Sequence, residues 1–277
     1  MLRIDRVGLT TVQDLGRRGW AHLGVSPSGA ADRGSARLAN RLVGNDMSAA
    51  LFETSGGFAF TAMSDVVVVM TGSECAATTA TQPIGMCRPV VARRGEQVRM
   101  DHLIGGMRTY VAIGGGVQGE ALLGSRSHDT LGGIVPVALH EGVQLGTGRA
   151  QTSATSLDVV VAPRRIERAR LTPGPHEHLF AADLRSRVTR SRLLVSTTSS
   201  RVGVRLIGAS LDDAVTGELE SFPLVRGAVQ VTPANELVVM LADHPTTGGY
   251  PVIGVVVPED VDALSQLAGG ETVSLAW

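Results

Sequence analysis

Five short stretches of this sequence gather side chains able to hold and transform a small polar molecule. They are Gln13, Asp14 and Arg17; Ser28 and Asp32; Ser125, Arg126 and Ser127; Ser199, Arg201 and Arg205; and Asp243, Thr246 and Thr247, which run on into Gly248, Gly249 and Tyr250. An arginine fork matches the paired oxygens of a carboxylate or phosphate. A carboxylate beside it can take or give a proton. Hydroxyls and glycine amides add further donors and acceptors. Singly, each stretch reads as a solvated loop or a structural hydrogen-bonding knot. Collectively they suit an anionic or amide substrate.

The last stretch is the densest. An apolar run at 237–241 reads as a buried strand and stops at Pro245, and a second apolar run follows at 252–257. Between them lies TTGGYP. Two readings carry equal weight here: a hairpin with a decorated loop, or a binding turn whose glycines admit a ligand close to the backbone.

Composition excludes several chemistries. The chain of 277 residues contains no lysine, so all 25 basic residues are arginine. A P-loop lysine, a Schiff-base lysine and a biotin-bearing lysine are ruled out. There is no G-x-S-x-G elbow to anchor a serine triad. His176 and His178 are two apart with no converging Asp, Glu or Cys, so no metal site is expected. Cys75 and Cys87 form no CxxC pair and read as free thiols in a reducing compartment. The run 114–119, GGGVQG, formally matches G-x-G-x-x-G, but Gly124 and Ser125 stop the next segment before a crossover helix can form, so it reads as a turn. A net charge of −1 implies neither nucleic acid nor membrane as a partner. With no apolar run near ~20 residues and no signal-like start, a cytoplasmic protein is expected.

The elements that must position these loops are mostly strands. Glycine and proline are frequent (34 and 12), aromatics make up only 3%, and short β-branched runs recur, which predicts a mainly β protein with an aliphatic core. Strands are expected at 2–8, 51–54, 58–61, 66–71, 97–100 and 108–113. The clearest helix is expected at 30–43 with Ser28 as its N-cap. The Gly/Ser/Thr-rich run 144–158 reads equally as a linker or as two loops around a weak strand; taken as the linker, it places a first unit at 1–155 and a second at 156–277. In the second, strands are expected at 159–162, 192–196, 202–207 and 229–232, with a short helix at 177–184.

Six segments in order, GLTTVQDLGRRG, HLGVSPSGAADR with SARLANRLVGN, LGSRS, SSRVGVRL, GAVQVTP and TTGGYP, resemble the allophanate hydrolase subunit 2 family. This family is also known as the biotin-dependent carboxyltransferase domain and as the C component of bacterial 5-oxoprolinase. The resemblance covers nearly the whole chain. It implies two tandem cyclophilin-like β-barrel units with a few short helices. It also implies a kinase-inhibitor-like partner, the B component, in a heterodimer or heterotetramer, and a third oxoprolinase subunit. Three departures stand out: Pro245 replaces a glutamine usual before TTGGYP, Val202 and Val204 replace a methionine and a tyrosine, and Phe52 intervenes before Glu53. The last offset is expected to turn Glu53 to the other face of its strand.

The activity this implies is ATP-dependent opening of the lactam of 5-oxoproline to L-glutamate, by a component expected to be inactive alone. Arg17 and Arg201 would hold carboxylate or phosphate, with Asp14 and Asp243 as acid/base candidates. Gln13, Ser28, Arg126, Arg205, Thr246, Thr247, Gly248, Gly249 and Tyr250 would contact substrate. ATP, with Mg, is expected to be bound together with the partner, and no biotin is attached to this chain. The alternatives are the carboxyltransferase component of a urea carboxylase-type system and a regulatory protein that binds a kinase-inhibitor homologue.

Overall fold

A computed structural model of the chain describes residues 1–80, 82–150, 153–154, 165–209, 211 and 219–277. They divide into two units. The first comprises Met1–Arg17, Ser28–Asp129 and Gly133–Pro163; the second comprises Arg18–Pro27, Thr130–Gly132 and Arg164–Trp277. Two short pieces from the first half of the sequence therefore belong to the second unit. The expected boundary at 155/156 and the strand at 159–162 lie outside the described residues, as does much of the candidate linker.

Among its described residues the first unit has ten strands: β1 (Leu2–Arg6), β2 (Thr10–Gln13), β3 (Leu51–Thr54), β4 (Phe58–Ala62), β5 (Val66–Gly72), β6 (Cys75–Thr79), β7 (Val90–Ala92), β8 (Gln97–Leu103), β9 (Thr109–Ile113) and β10 (Gln144–Leu145). They form two antiparallel five-stranded sheets, ordered β10-β1-β4-β8-β6 and β2-β3-β9-β5-β7. Strand alternation sends Ile4, Phe58, Phe60, Val98 and Met100 of one sheet, and Val12, Phe52, Val68, Met70 and Val111 of the other, into one core. Three phenylalanines fill its centre, with ring centroids of Phe52 and Phe58 4.8 Å apart and of Phe58 and Phe60 5.8 Å apart.

The opposite face of the second sheet carries Leu51, Val69, Tyr110 and Ala112, which are covered by Ala36, Ala39 and Leu42 of α1 (Arg33–Leu42). The helix starts later than expected. Its cap is Asp32, whose carboxylate accepts the Ser35 N–H at 2.9 Å; Ser28 lies five residues before the helix with a left-handed φ of 50°. The GGG turn after β9 leads into no helix, and its glycines are filled by protein. A Cβ on Gly115 would lie 2.0 Å from the Gly148 carbonyl oxygen, and one on Gly116 would lie 3.1 Å from the Ala49 Cβ.

The second unit contains β11 (Arg168–Pro173), β12 (Leu193–Val195), β13 (Gly203–Ile207), β14 (Phe222–Pro223), β15 (Ala228–Val231), β16 (Leu237–Met240), β17 (Thr247–Gly248), β18 (Val252–Val256) and β19 (Thr272–Ala276). Seven of these close a barrel in the order β11-β18-β15-β16-β13-β12-β19, sealed by the parallel pair β11–β19. The mainly β expectation holds, and the barrel interior is aliphatic as composition required. Two helices differ from expectation. The expected 177–184 helix is a 3-10 turn, Glu177–Leu179, broken by extended Phe180 and followed by α2 (Leu184–Arg190). The unforeseen α3 (Pro258–Leu264) carries its signal openly: proline at the first position and acids in the first turn.

Candidate functional site

In the first unit, strand register decides which polar groups meet. Thr11 lies opposite Glu53, Gln13 opposite Leu51, and Glu53 opposite Tyr110. Opposed residues in an antiparallel ladder share a face, so Thr11, Gln13, Glu53 and Tyr110 all line the face that α1 covers. Glu53 accepts the Ala31 N–H at 2.9 Å and lies 3.4 Å from the Arg108 guanidinium. The Tyr110 hydroxyl accepts the Asp32 N–H at 2.7 Å. Burial, followed by the nearby charges of Glu53 and Asp32, pushes the Tyr110 pKa well up, so it stays a neutral phenol. Phe52 enters the sandwich core, and Glu53, not counted among the site residues from the sequence, enters the buried polar cluster.

Asp14, immediately after β2, joins three segments. Its carboxylate accepts hydrogen bonds from the Gly16 N–H (2.7 Å), the Ser125 and Ser127 hydroxyls (both 2.6 Å) and the Arg126 N–H (2.7 Å). Its carbonyl accepts the Ala30 N–H at 2.9 Å. Gly29, at φ 93°, packs so tightly there that a Cβ would sit 2.8 Å from Gly16 N. Arg17 is 1% exposed, and its guanidinium donates to the Ser127 carbonyl. Gln13 is fully buried and gives its amide to Thr11 Oγ1 and the His128 carbonyl, each at 3.0 Å. The Arg126 side chain instead donates to the Gly119 carbonyl at 2.9 Å. The structure thus gathers Gln13, at the end of β2, with Asp14, Arg17 and Ser28 on the loops that abut it.

In the second unit, Asp243 is fully buried and bidentate to Arg201, at 2.9 and 3.1 Å. It also accepts the N–H (3.0 Å) and hydroxyl (2.7 Å) of Thr130. Burial alone would raise its pKa; the Arg201 charge and hydrogen bonds, with those of Thr130, overcome that and hold it below the ordinary carboxylate value. Arg205 lies elsewhere, paired with Glu236 at 3.0 Å on the exposed outside of the barrel. His244, absent from the sequence reading, is buried with Nδ1 2.7 Å from the Pro245 carbonyl. A carbonyl only accepts, so Nδ1 carries the proton in that contact.

The TTGGYP stretch is not a hairpin. The strands it joins, β16 and β18, both pair with β15, one on each side, so the chain crosses over β15. On the way, Thr247–Gly248 pairs with Phe222–Pro223, and Leu224 N–H donates to the Thr246 carbonyl at 2.9 Å. The glycines answer to packing. A Cβ on Gly248 would lie 2.7 Å from both Gln230 Nε2 and Leu224 Cδ1, and one on Gly249 would lie 3.2 Å from the Leu219 carbonyl oxygen. Gln230 in turn donates to the Tyr250 carbonyl at 3.2 Å. His176, whose Nδ1 accepts the Val252 N–H at 3.2 Å, closes this region against the Phe222 ring.

The family model for the carboxyltransferase domain, subdomains A and B, matches residues 23–277. The chain belongs to that family. Within it, this carboxyltransferase-domain chain is 33% identical to the C component of 5-oxoprolinase from Escherichia coli K12, over 99% of its own length and 90% of the relative's. Among solved structures it is similar to TTHA0988, at 33% identity and a TM-score of 0.89, covering 100% of this chain and 55% of that one. It is also similar to the K. lactis urea amidolyase, at 26% identity and a TM-score of 0.90, covering 99% of this chain but only 18% of that one. The six ordered segments of the sequence therefore point to the right family. Among the described residues, no helix is long and apolar enough to cross a membrane, and no three His, Cys, Asp or Glu side chains gather as a metal-binding set.

Proposed function

We propose that this chain is the C component of an ATP-dependent 5-oxoprolinase. The observation that carries this reading is the end-to-end correspondence with the E. coli protein, 99% of one chain against 90% of the other. A lactam carbonyl is a poor electrophile, and ATP supplies the activation that lets water open the ring to L-glutamate. This chain offers no P-loop cradle for a triphosphate. There is no lysine, and the glycine turn after β9 is filled by neighbouring backbone. ATP with Mg is therefore assigned to the assembly with a kinase-inhibitor-like partner and a third oxoprolinase subunit, in the cytoplasm.

What this chain supplies is binding and orientation. Arg17, buried and positively charged, holds the substrate carboxylate. Asp14, with four donors on its carboxylate, acts as the joint that positions Arg17 through Ser127. Asp243 takes the same part for Arg201. Asp243, held below its ordinary pKa by Arg201 and Thr130, is ionised at neutral pH, which suits the positioning of Arg201.

The TM-score of 0.90 with the K. lactis urea amidolyase favours a second reading, the carboxyltransferase half of a urea carboxylase-like system. Biotin would then arrive on another chain, since this sequence has no lysine to bear it. The assembled complex separates the two readings. The first expects glutamate from 5-oxoproline and no turnover of urea with biotin carboxylase. Urea carboxylation without glutamate formation overturns it in favour of the second. Inactivity in both assays, with stable binding of the kinase-inhibitor-like partner, leaves a regulatory role.

A further inference from the structure

Among the described residues of the first unit, the buried polar atoms without a hydrogen-bond partner in the protein include the Ser28 hydroxyl and the Gln13 carbonyl oxygen, Oε1. Both residues are fully buried. Buried polar groups are nearly always paired, and each exception calls for a physical reason. The Gln13 assignment is firm on chemical grounds. The His128 carbonyl only accepts, so the amide nitrogen must face it, and Oε1 is left as the acceptor. Gln13 ends β2 and Ser28 opens the turn that touches the segment just after it, for Ala30 N–H donates to the Asp14 carbonyl and Gly29 packs on the 15–16 peptide. One of the atoms is an acceptor needing a donor, and the other can donate to an acceptor.

We propose that Gln13 Oε1 and the Ser28 hydroxyl read the N–H and the C=O of an amide-type ligand, a lactam or a urea, so that the site demands an N–H beside the carbonyl. The inference rests on the amide class of substrate in the function proposed above and holds for either reading of it. Ser28 sits at a left-handed φ of 50°, a conformation disfavoured for residues other than glycine. Admitting the ligand shifts the turn that carries Ser28 and satisfies both atoms. A site built to bond an N–H discriminates strongly against an analogue lacking it, because its own polar atom is left unpaired.

Ser28→Ala separates this from a structural role. The hydroxyl makes no bond within the protein, so removing it is expected to leave Tm unchanged or higher, since an unpaired buried polar group is destabilising. In the assembled complex the same variant is expected to weaken 5-oxoproline binding about tenfold, the scale of one hydrogen bond. The wild-type complex should bind the lactam at least a hundredfold more tightly than the corresponding lactone, in line with the discrimination such sites reach. Gln13→Met should erase that preference. Titration calorimetry with 5-oxoproline, its lactone analogue and urea reads all three. A Ser28→Ala variant that loses stability while binding normally would show a structural hydroxyl, and equal binding of lactam and lactone would remove the Gln13 contact; either overturns the inference. Binding of neither 5-oxoproline nor urea by the wild-type complex overturns it together with the functional reading, whereas binding of urea alone leaves it standing and sinks only the oxoprolinase assignment.

Discussion

Replacing Asp243 with leucine is expected to cost the folded chain about 3–5 kcal/mol, the penalty for leaving a buried charge uncompensated. The charge left behind is Arg201, whose side chain is only 10% exposed and whose Nε and Nη2 both bond the missing carboxylate. Thr130 would lose the acceptor of its N–H and its hydroxyl as well. For a chain of this size that cost corresponds to a fall in Tm of roughly 6–20 °C, at about 2–4 °C per kcal/mol. Arg201→Leu alone should be similarly costly, because it strands the buried Asp243. The double variant should lose much less than the sum, since well-packed apolar replacements of an ion pair are often nearly neutral. Thermal unfolding of the two singles and the double completes the cycle. Simple additivity would mean that the pair is not a unit.

This ion pair shows where the sequence is legible and where it is not. Arg201 and Asp243 both stand out, because each sits at a strand end beside glycine, proline or hydroxyl residues. Their pairing does not, because it depends on β13 lying beside β16, with Leu241 N–H continuing the ladder to the Val202 carbonyl. That neighbourhood is set by barrel closure, which local periodicity does not record. The TTGGYP crossover is the same kind of case. Two strands joined by a glycine-rich turn read as a hairpin, and only the insertion of β15 between them excludes it.

Elements with a local signature are readable. The alternation in β4 and the α1 stripe of Ala36, Ala39 and Leu42 specify the sandwich core and its helical cover. The α1 cap is ambiguous because Ser28 and Asp32 are both good caps, and the left-handed turn at 28–29 that delays the helix is fixed by contact with residues 15–16. The face that Glu53 takes cannot be counted along one strand. Register with β2 and β9 decides that face, and the information lies in the partners.

Arg17→Met is expected to reduce oxoproline-dependent turnover by the assembled enzyme about 10- to 150-fold, equivalent to the ~1.5–3 kcal/mol of a hydrogen bond to a charged group. Methionine preserves most of the buried stem and removes the guanidinium that donates to the Ser127 carbonyl. The loss should appear mainly in KM, because the carboxylate is bound alike before and during ring opening. Arg17→Lys should not restore it, since an ammonium lacks the planar fork. The lactam without a carboxylate, 2-pyrrolidinone, should be an equally poor substrate for wild type and variant. A variant that lost turnover of both lactams in proportion would place Arg17 in folding or assembly instead.

The claim beneath these expectations is that this chain supplies one part of a site completed by its partners. Phosphate release, measured for the purified chain and again after adding the kinase-inhibitor-like partner and the third oxoprolinase subunit, tests it most directly. The account predicts no 5-oxoproline-dependent release from the chain alone, and release matched one-to-one by glutamate once the complex has formed by size-exclusion chromatography. Sustained oxoproline-dependent phosphate release by the isolated chain would contradict it.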